Sequence, residues 1–147
     1  MIVAIQTARK GSKSVRNKNI SIVNGDPLFL HSLNIANKTE SIQKVYSTTD
    51  CPVIKSFAKT HHFDIIDRPE NLASDSASHH DTMIHAILEI EKIENTKLEL
   101  IVFLLGNTIS AEPQWLEACI QKMIKDDEID SIQSVSKFNM FNPYRAF

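Results

Sequence analysis

Glycine is scarce in this 147-residue sequence: Gly11, Gly25 and Gly106 are the full set. A dinucleotide-binding fingerprint needs three closely spaced glycines, which this scatter excludes. A Walker A loop is excluded too, because Gly11-Ser12-Lys13-Ser14 has no glycine preceding it at the required spacing. Cysteine is also sparse. Cys51 and Cys119 fit no metal-ligand spacing and read as buried thiols in helices, not as a disulfide or a nucleophile. No apolar run approaches the roughly 20 residues that span a bilayer, and the N-terminus lacks the pattern of a secretory signal, so a cytoplasmic location is expected. Excess positive charge is missing as well. A net charge of -2 disfavours a general nucleic-acid binder, which would need a basic surface. Repeats and low-complexity stretches are absent. A hydrophobic fraction of 42% is that of an ordinary globular chain, long enough for one domain over residues 1–147.

What the sequence does have is local positive charge. The stretch ARKGSKSVRNKNI, residues 8–20, places five cations and a glycine in thirteen residues. It follows MIVAIQT, an uncharged run with β-branched residues that reads as a strand buried on both faces. Open α/β sheets bind ligands beyond the carboxyl ends of their strands, where this loop would lie. Arginine offers a planar fork of donors, lysine a point charge, and Gly11 lets backbone amides approach closely, so a polyphosphate is the matching partner. On charge alone, a solvated basic loop reads equally well.

Along the chain, Asn24-Gly25 is read as a bend, Asp26 as an N-cap and Pro27 as the first position of a helix running to about Lys38, with Phe29, Leu33 and Ala36 as its buried stripe. KVYSTT, residues 44–49, reads as a second strand, followed by Asp50, Cys51 and Pro52 opening a second helix with Ile54, Phe57 and Ala58 inward. The repeat of strand, cap and helix is a βαβ signature. A short strand at 63–66 leads to Arg68 and the small polar loop 70–78, then a helix at 79–94 with Met83, Ile84, Ile87 and Leu88 on one side. ELIVFLL, residues 99–105, is the most hydrophobic strand and is therefore expected at the sheet centre. A helix at 113–125 and a last strand at 131–135 complete the pattern, with the Met, Trp and Phe residues of the helices expected in the core. Right-handed crossovers would gather three loops, 8–19, 68–78 and 106–110, along one edge of a parallel sheet.

Four segments carry a family resemblance: ARKGSKSVRNKNI, the STTD at 47–50, RPENLASDSAS at 68–78 and LLGNT at 104–108. Together they resemble the CMP-N-acylneuraminate (sialic acid) synthetases, with Lys18-Asn19 similar to the neuraminate branch and not to the related CMP-Kdo enzymes. The resemblance implies a Rossmann-like three-layer α/β/α fold of the nucleotide-diphospho-sugar transferase type, with a mostly parallel central sheet. It implies a reaction in which a sialic-type 2-keto sugar acid attacks CTP to give a CMP-sugar and pyrophosphate, assisted by Mg²⁺. Carried over by position, Arg9 and Lys18 are the catalytic, phosphate-binding cations. Ala8, Lys10, Gly11, Ser12, Asn19, Arg68 and Thr108 are the nucleotide-binding set, and no metal ligand is assigned.

The sequence also departs from that family. Ser14-Val15-Arg16 stands where Gly-Ile-Pro or Gly-Leu-Pro is common, and LLQPTSPLR becomes LLGNTISAE, in which Thr108 is retained. Family chains continue well past the segment that Asn142-Pro143-Tyr144-Arg145 resembles, into a dimerisation element and the sugar- and metal-binding portion. The expectation is a fragment of a longer protein, or a chain whose site is completed by a homodimer or partner chain. A non-catalytic nucleotide-binding module of the same fold is the alternative.

Two clusters invite a sharper reading and receive a plain one. His79, His80 and His85 are taken as polar helix-start histidines and not as a metal site. Asp75 and Asp81 are assigned to loop ordering and the helix dipole and not to paired catalysis.

Overall fold

The computed structural model describes residues 1–11, 15–74 and 76–135. Strand β1 (Ile2–Thr7) leads into the basic loop, which closes with a 3₁₀ turn at Lys18–Ile20. Strands β2 (Ile22–Val23) and β3 (Asp26–Pro27) then form a two-residue antiparallel hairpin. Its turn residues, Asn24 and Gly25, have φ of 50° and 93°, the left-handed geometry that a two-residue hairpin requires. Asp26 is thus a hairpin residue and not the expected helix cap: Pro27 occupies the cap position of helix α1 (Leu28–Asn37), without a side-chain capping bond.

Strand β4 (Lys44–Thr49) precedes helix α2 (Pro52–Phe57), and strand β5 (Asp64–Asp67) precedes the single turn α3 (Glu70–Ala73). Helix α4 (His79–Glu94), strand β6 (Leu100–Leu105) and helix α5 (Pro113–Lys125) follow. The main sheet has the order β5-β4-β1-β6 and every pairing in it is parallel. Alternation along β1 divides the core. Ala4 faces α1, α2 and α5 in a cluster with Phe29, Leu33, Ala36 and Ile54, whereas Val3 and Ile5 face α4 and pack with Tyr46, Ala86 and Ile90. The result is a sheet covered on both faces, the three-layer α/β/α arrangement.

The structure corrects several expectations. β6 lies at an edge of the sheet among the described residues, and β1 is the buried centre. Val102 and Leu104 of β6 pack on the α1 side and Ile101 on the α4 side, but Phe103 and Leu105 are 45% and 51% exposed, so only the start of its apolar run is covered on both faces. In α4 the buried stripe is Thr82, Ala86 and Ile90, while Ile84 and Leu88 are exposed. Spacing of i, i+4 and i+8 set that stripe, and its small and polar members hid it from a count of large apolar residues. Trp115 on α5 is exposed, not core. Residues 131–135 form no strand, and the segment from Asn142 to Arg145 lies outside the described residues. Cys51 is buried at the cap position of α2, one residue before that helix, and Cys119 on α5 is half-buried.

Candidate functional site

Because the four strands run parallel, their C-terminal ends open on one edge. Backbone bonds extend the ladder into the loops: Ala8 N–H donates to Thr48 O at 3.3 Å, Arg68 N–H to Thr49 O at 3.2 Å, and Gly106 N–H to Thr7 O at 3.1 Å. A Cβ at residue 106 would stand 2.9 Å from Ala8 Cβ and 3.2 Å from Thr7 O, so glycine is what lets the end of β6 close onto the start of the basic loop. Ala8 itself is buried in the core.

Side chains then shape the loop. Asp50 Oδ1 accepts from the Lys10 N–H at 2.8 Å, pinning the loop to the end of β4. Asn19 Nδ2 donates to Arg9 O at 2.9 Å and folds the 3₁₀ turn back over the loop's start. Arg9 Nη1 reaches Ala73 O at 3.4 Å, and Arg68 Nη2 donates to Thr48 O at 2.6 Å. The buried Arg68 Nε has no hydrogen-bond partner among the described residues. Burial pushes the Arg68 guanidinium below the usual arginine value, an effect that Asp50 opposes and Arg9 reinforces.

Between these loops lies a cavity of about 370 Å³. Five residues singled out in the sequence line it: Arg9, Gly11, Lys18, Asn19 and Arg68. Three of the five are cations, Arg9 and Lys18 at the two ends of the basic loop and Arg68 just past β5. Lys10 contributes its backbone to the Asp50 bond, and Thr108, whose N–H donates to Leu105 O at 3.0 Å, is not among the residues lining the cavity. Ser12 and Asp75 lie outside the described residues. Sequence reasoning missed Thr7, His79 and Asp50. Period-two alternation on β1 held the signal for Thr7, whereas nothing in the sequence separates His79 from His80 at the start of α4.

A larger, shallow groove of about 720 Å³ lies at the opposite end of β4 and β5. Two of its lysines are already neutralised by the protein, Lys44 by Glu94 at 2.7 Å and Lys55 by Asp67. The smaller cavity, which lies at the carboxyl ends of the parallel strands, is the one we take as the site.

A divalent ion held by the protein does not fit the described part of this site. The charged side chains of its lining are cationic, and no group of three or more histidine, cysteine or carboxylate side chains converges among the described residues.

The chain matches a family model described as cytidylyltransferase over residues 3–140. It is 38% identical over 86 residues to an N-acylneuraminate cytidylyltransferase of Escherichia coli O18:K1:H7, covering 58% of this chain and 20% of that protein. A bifunctional protein of Helicobacter pylori, a pseudaminic acid cytidylyltransferase and UDP-2,4-diacetamido-2,4,6-trideoxy-beta-L-altropyranose hydrolase, is 25% identical over 146 residues, 99% of this chain and 28% of its own length. The chain thus spans less than a third of either relative. Among solved structures, a CMP:2-keto-3-deoxy-manno-octonic acid synthetase in complex with CTP superposes with a TM-score of 0.69 at 21% identity, over 86% of this chain and 48% of that one. At that identity the likeness is one of fold.

Proposed function

The chain belongs to the cytidylyltransferase family, and from that premise we propose that the cavity at the strand ends binds CTP and that the whole protein transfers its CMP moiety to a sialic-type nonulosonic acid. The observation that carries this reading is the convergence of Arg9 and Lys18, from the two ends of the basic loop, with Arg68, from the end of β5, on one cavity. Like charges brought together in a protein repel one another, and a polyphosphate reverses that cost by supplying anionic oxygens to each.

In the proposed reaction the anomeric hydroxyl of the sugar acid attacks the α-phosphorus of CTP. A new oxygen–phosphorus bond forms, the bond to the bridging oxygen breaks, and pyrophosphate leaves with the electron pair while the hydroxyl proton passes to solvent. Arg9 and Lys18 hold the triphosphate and offset the charge that builds on the leaving group. Arg68 and Asn19 hold the nucleotide, and Gly11 admits close approach of phosphate oxygens to the loop backbone; Lys10 and Ser12 belong to this cradle by family position, although the Lys10 N–H donates to Asp50. Ala8 and Thr108 belong to the proposed nucleotide set by family position. The Mg²⁺ that the resemblance implies is given no role in this step, because no group of three or more side chains that could hold it converges among the described residues. We place the reaction in the cytoplasm, where no membrane-crossing helix among the described residues stands against it.

The domain reading is part of the same proposal. Residues 1–147 are the nucleotide-binding portion, and sugar and metal contacts come from further sequence, a homodimer or a partner chain. The 48% coverage of the CTP-bound synthetase supports this. A specific observation favours the second reading, a nucleotide-binding module without turnover: Thr108, retained from the family motif, stands off the cavity.

Titration calorimetry of the chain with CTP, beside a turnover assay with CTP and a nonulosonic acid, separates the two. Binding with product supports the transferase, and binding without product supports the module. Arg9→Ala and Lys18→Ala should each weaken CTP binding about tenfold, roughly 1.4 kcal/mol. Absence of CTP binding at millimolar concentration overturns both readings.

A further inference from the structure

His79 lines the same cavity as Arg9, Lys18 and Arg68. It begins α4, and Thr7 points toward it because alternation turns odd-numbered residues of β1 to the α4 face. The ring Nε2 lies 3.1 Å from Thr7 Oγ1. The start of the helix does not depend on this ring, since Ser78 supplies the cap by accepting from the Asp81 N–H at 3.3 Å. The adjacent His80 is differently placed, 79% exposed with Nδ1 at 3.8 Å from an Asp81 carboxylate oxygen.

We propose that His79 is a further ligand of the polyphosphate, which it contacts as an imidazolium, so that nucleotide binding takes up a proton at this side chain. The inference rests on the nucleotide reading of the cavity. A triphosphate seated among Arg9, Lys18 and Arg68 brings several negative charges beside the ring, and an adjacent anion favours the protonated form. Histidine is the side chain whose ordinary titration lies near neutrality, so a ring in this position converts a pH change into a change of affinity. The charged groups around it are Arg9, Lys18 and Arg68 on the cavity wall, Asp50 at the loop and Asp81 in the first turn of α4. His80 is the remaining imidazole at this helix start and serves as the control.

By linkage, affinity for CTP should fall as pH rises through the titration of the bound ring. The test is calorimetric titration of the 147-residue chain with CTP at pH 6 and pH 8, in buffers of different ionisation enthalpy, for wild type, His79→Asn and His80→Asn. The terminal phosphate of CTP also titrates in this range, but equally for all three proteins, so differences between them belong to the side chains. Wild type should gain more affinity from pH 8 to pH 6 than His79→Asn does, by roughly fivefold, and take up more protons on binding. His80→Asn should match wild type. A measurement needing no variant stands beside it: the Cε1–H resonance of His79 should titrate at higher pH with CTP than without. Equal pH dependence in wild type and His79→Asn, or a ring titration unmoved by CTP, overturns the proposal. Failure of wild type to bind CTP at either pH overturns instead the nucleotide reading on which it rests.

Discussion

Two polar clusters flank the end of β1, one on each face, and they are built on opposite rules. On the α1 face, Gln6 is fully buried and every polar contact it needs is supplied: its amide donates to Phe29 O at 2.5 Å and to Ser32 Oγ at 2.6 Å, and its carbonyl accepts from Ser47 Oγ at 2.9 Å. On the α4 face, one residue later, Thr7 meets His79 at the wall of a cavity lined by Arg9, Lys18 and Arg68. The first cluster is self-complementary and neutral, and so serves to lock β1, β4 and α1 together. The second gathers cations around a cavity and leaves the buried Arg68 Nε without a hydrogen-bond partner among the described residues, an arrangement suited to an anionic ligand. Adjacent residues in one strand thus face a closed polar core on one side and an open cavity wall on the other.

That contrast is broken most severely at Gln6. Gln6→Ala would strand the Ser32 and Ser47 hydroxyls and the Phe29 carbonyl in a buried site and leave a cavity, destabilising the fold by about 3 kcal/mol. Urea denaturation measures it. CTP affinity of the folded fraction should hardly change, because the α1-face cluster contributes nothing to the cavity wall. An effect on affinity with stability unaltered would reverse the roles assigned to the two faces.

A smaller change links the faces through Gly106. Gly106→Ala places a methyl group 2.9 Å from Ala8 Cβ, where the neighbour is core packing and the Thr7 carbonyl is 3.2 Å away. The start of the basic loop must shift, costing about 1–2 kcal/mol of stability, and Arg9 moves with it, so CTP affinity should fall in the same variant. Thermal denaturation and calorimetric titration read the two effects. Stability lost with affinity retained would show that the Gly106 contact supports the fold alone.

Much of the architecture was legible because local chemistry and fold agree. The βαβ rhythm, the limits of β4, α4 and α5, and the gathering of the basic loop with Arg68 all follow from hydrophobic periodicity and strand-end logic. What escaped was decided by neighbours distant in sequence. Nothing in ELIVFLL reveals that its strand stands at an edge, since that depends on which strands pair. The buried stripe of α4 passes through Thr82 and Ala86, small enough to approach the sheet and too small to register as a hydrophobic face. His79 looks like its neighbour His80 in sequence; the difference lies in Thr7, seventy-two residues away.

The mildest test lies at the far end of α4, where the self-complementary rule returns with charge. Glu94 accepts from Lys44 Nζ at 2.7 and 2.8 Å and from Tyr46 Oη at 2.7 Å. The hydrogen bond from Lys44, then that from Tyr46, hold the Glu94 carboxyl below the ordinary glutamate value. A carboxyl depressed in the folded state contributes stability that is fully present above its unfolded titration, near pH 4 to 5, and that is lost as pH falls through the folded value. Lys44 is raised by the same bond, so its share persists through neutrality and is lost only at alkaline pH, as pH rises through the folded lysine titration. Glu94→Gln should therefore lower stability slightly at pH 7 and flatten its decline between pH 5 and pH 3, measured by urea unfolding at each pH. Proton uptake on CTP binding should be untouched, because this cluster sits at the opposite end of the helix from His79. A Glu94→Gln variant as steep as wild type below pH 5 would remove the ion pair from the acid stability of the fold.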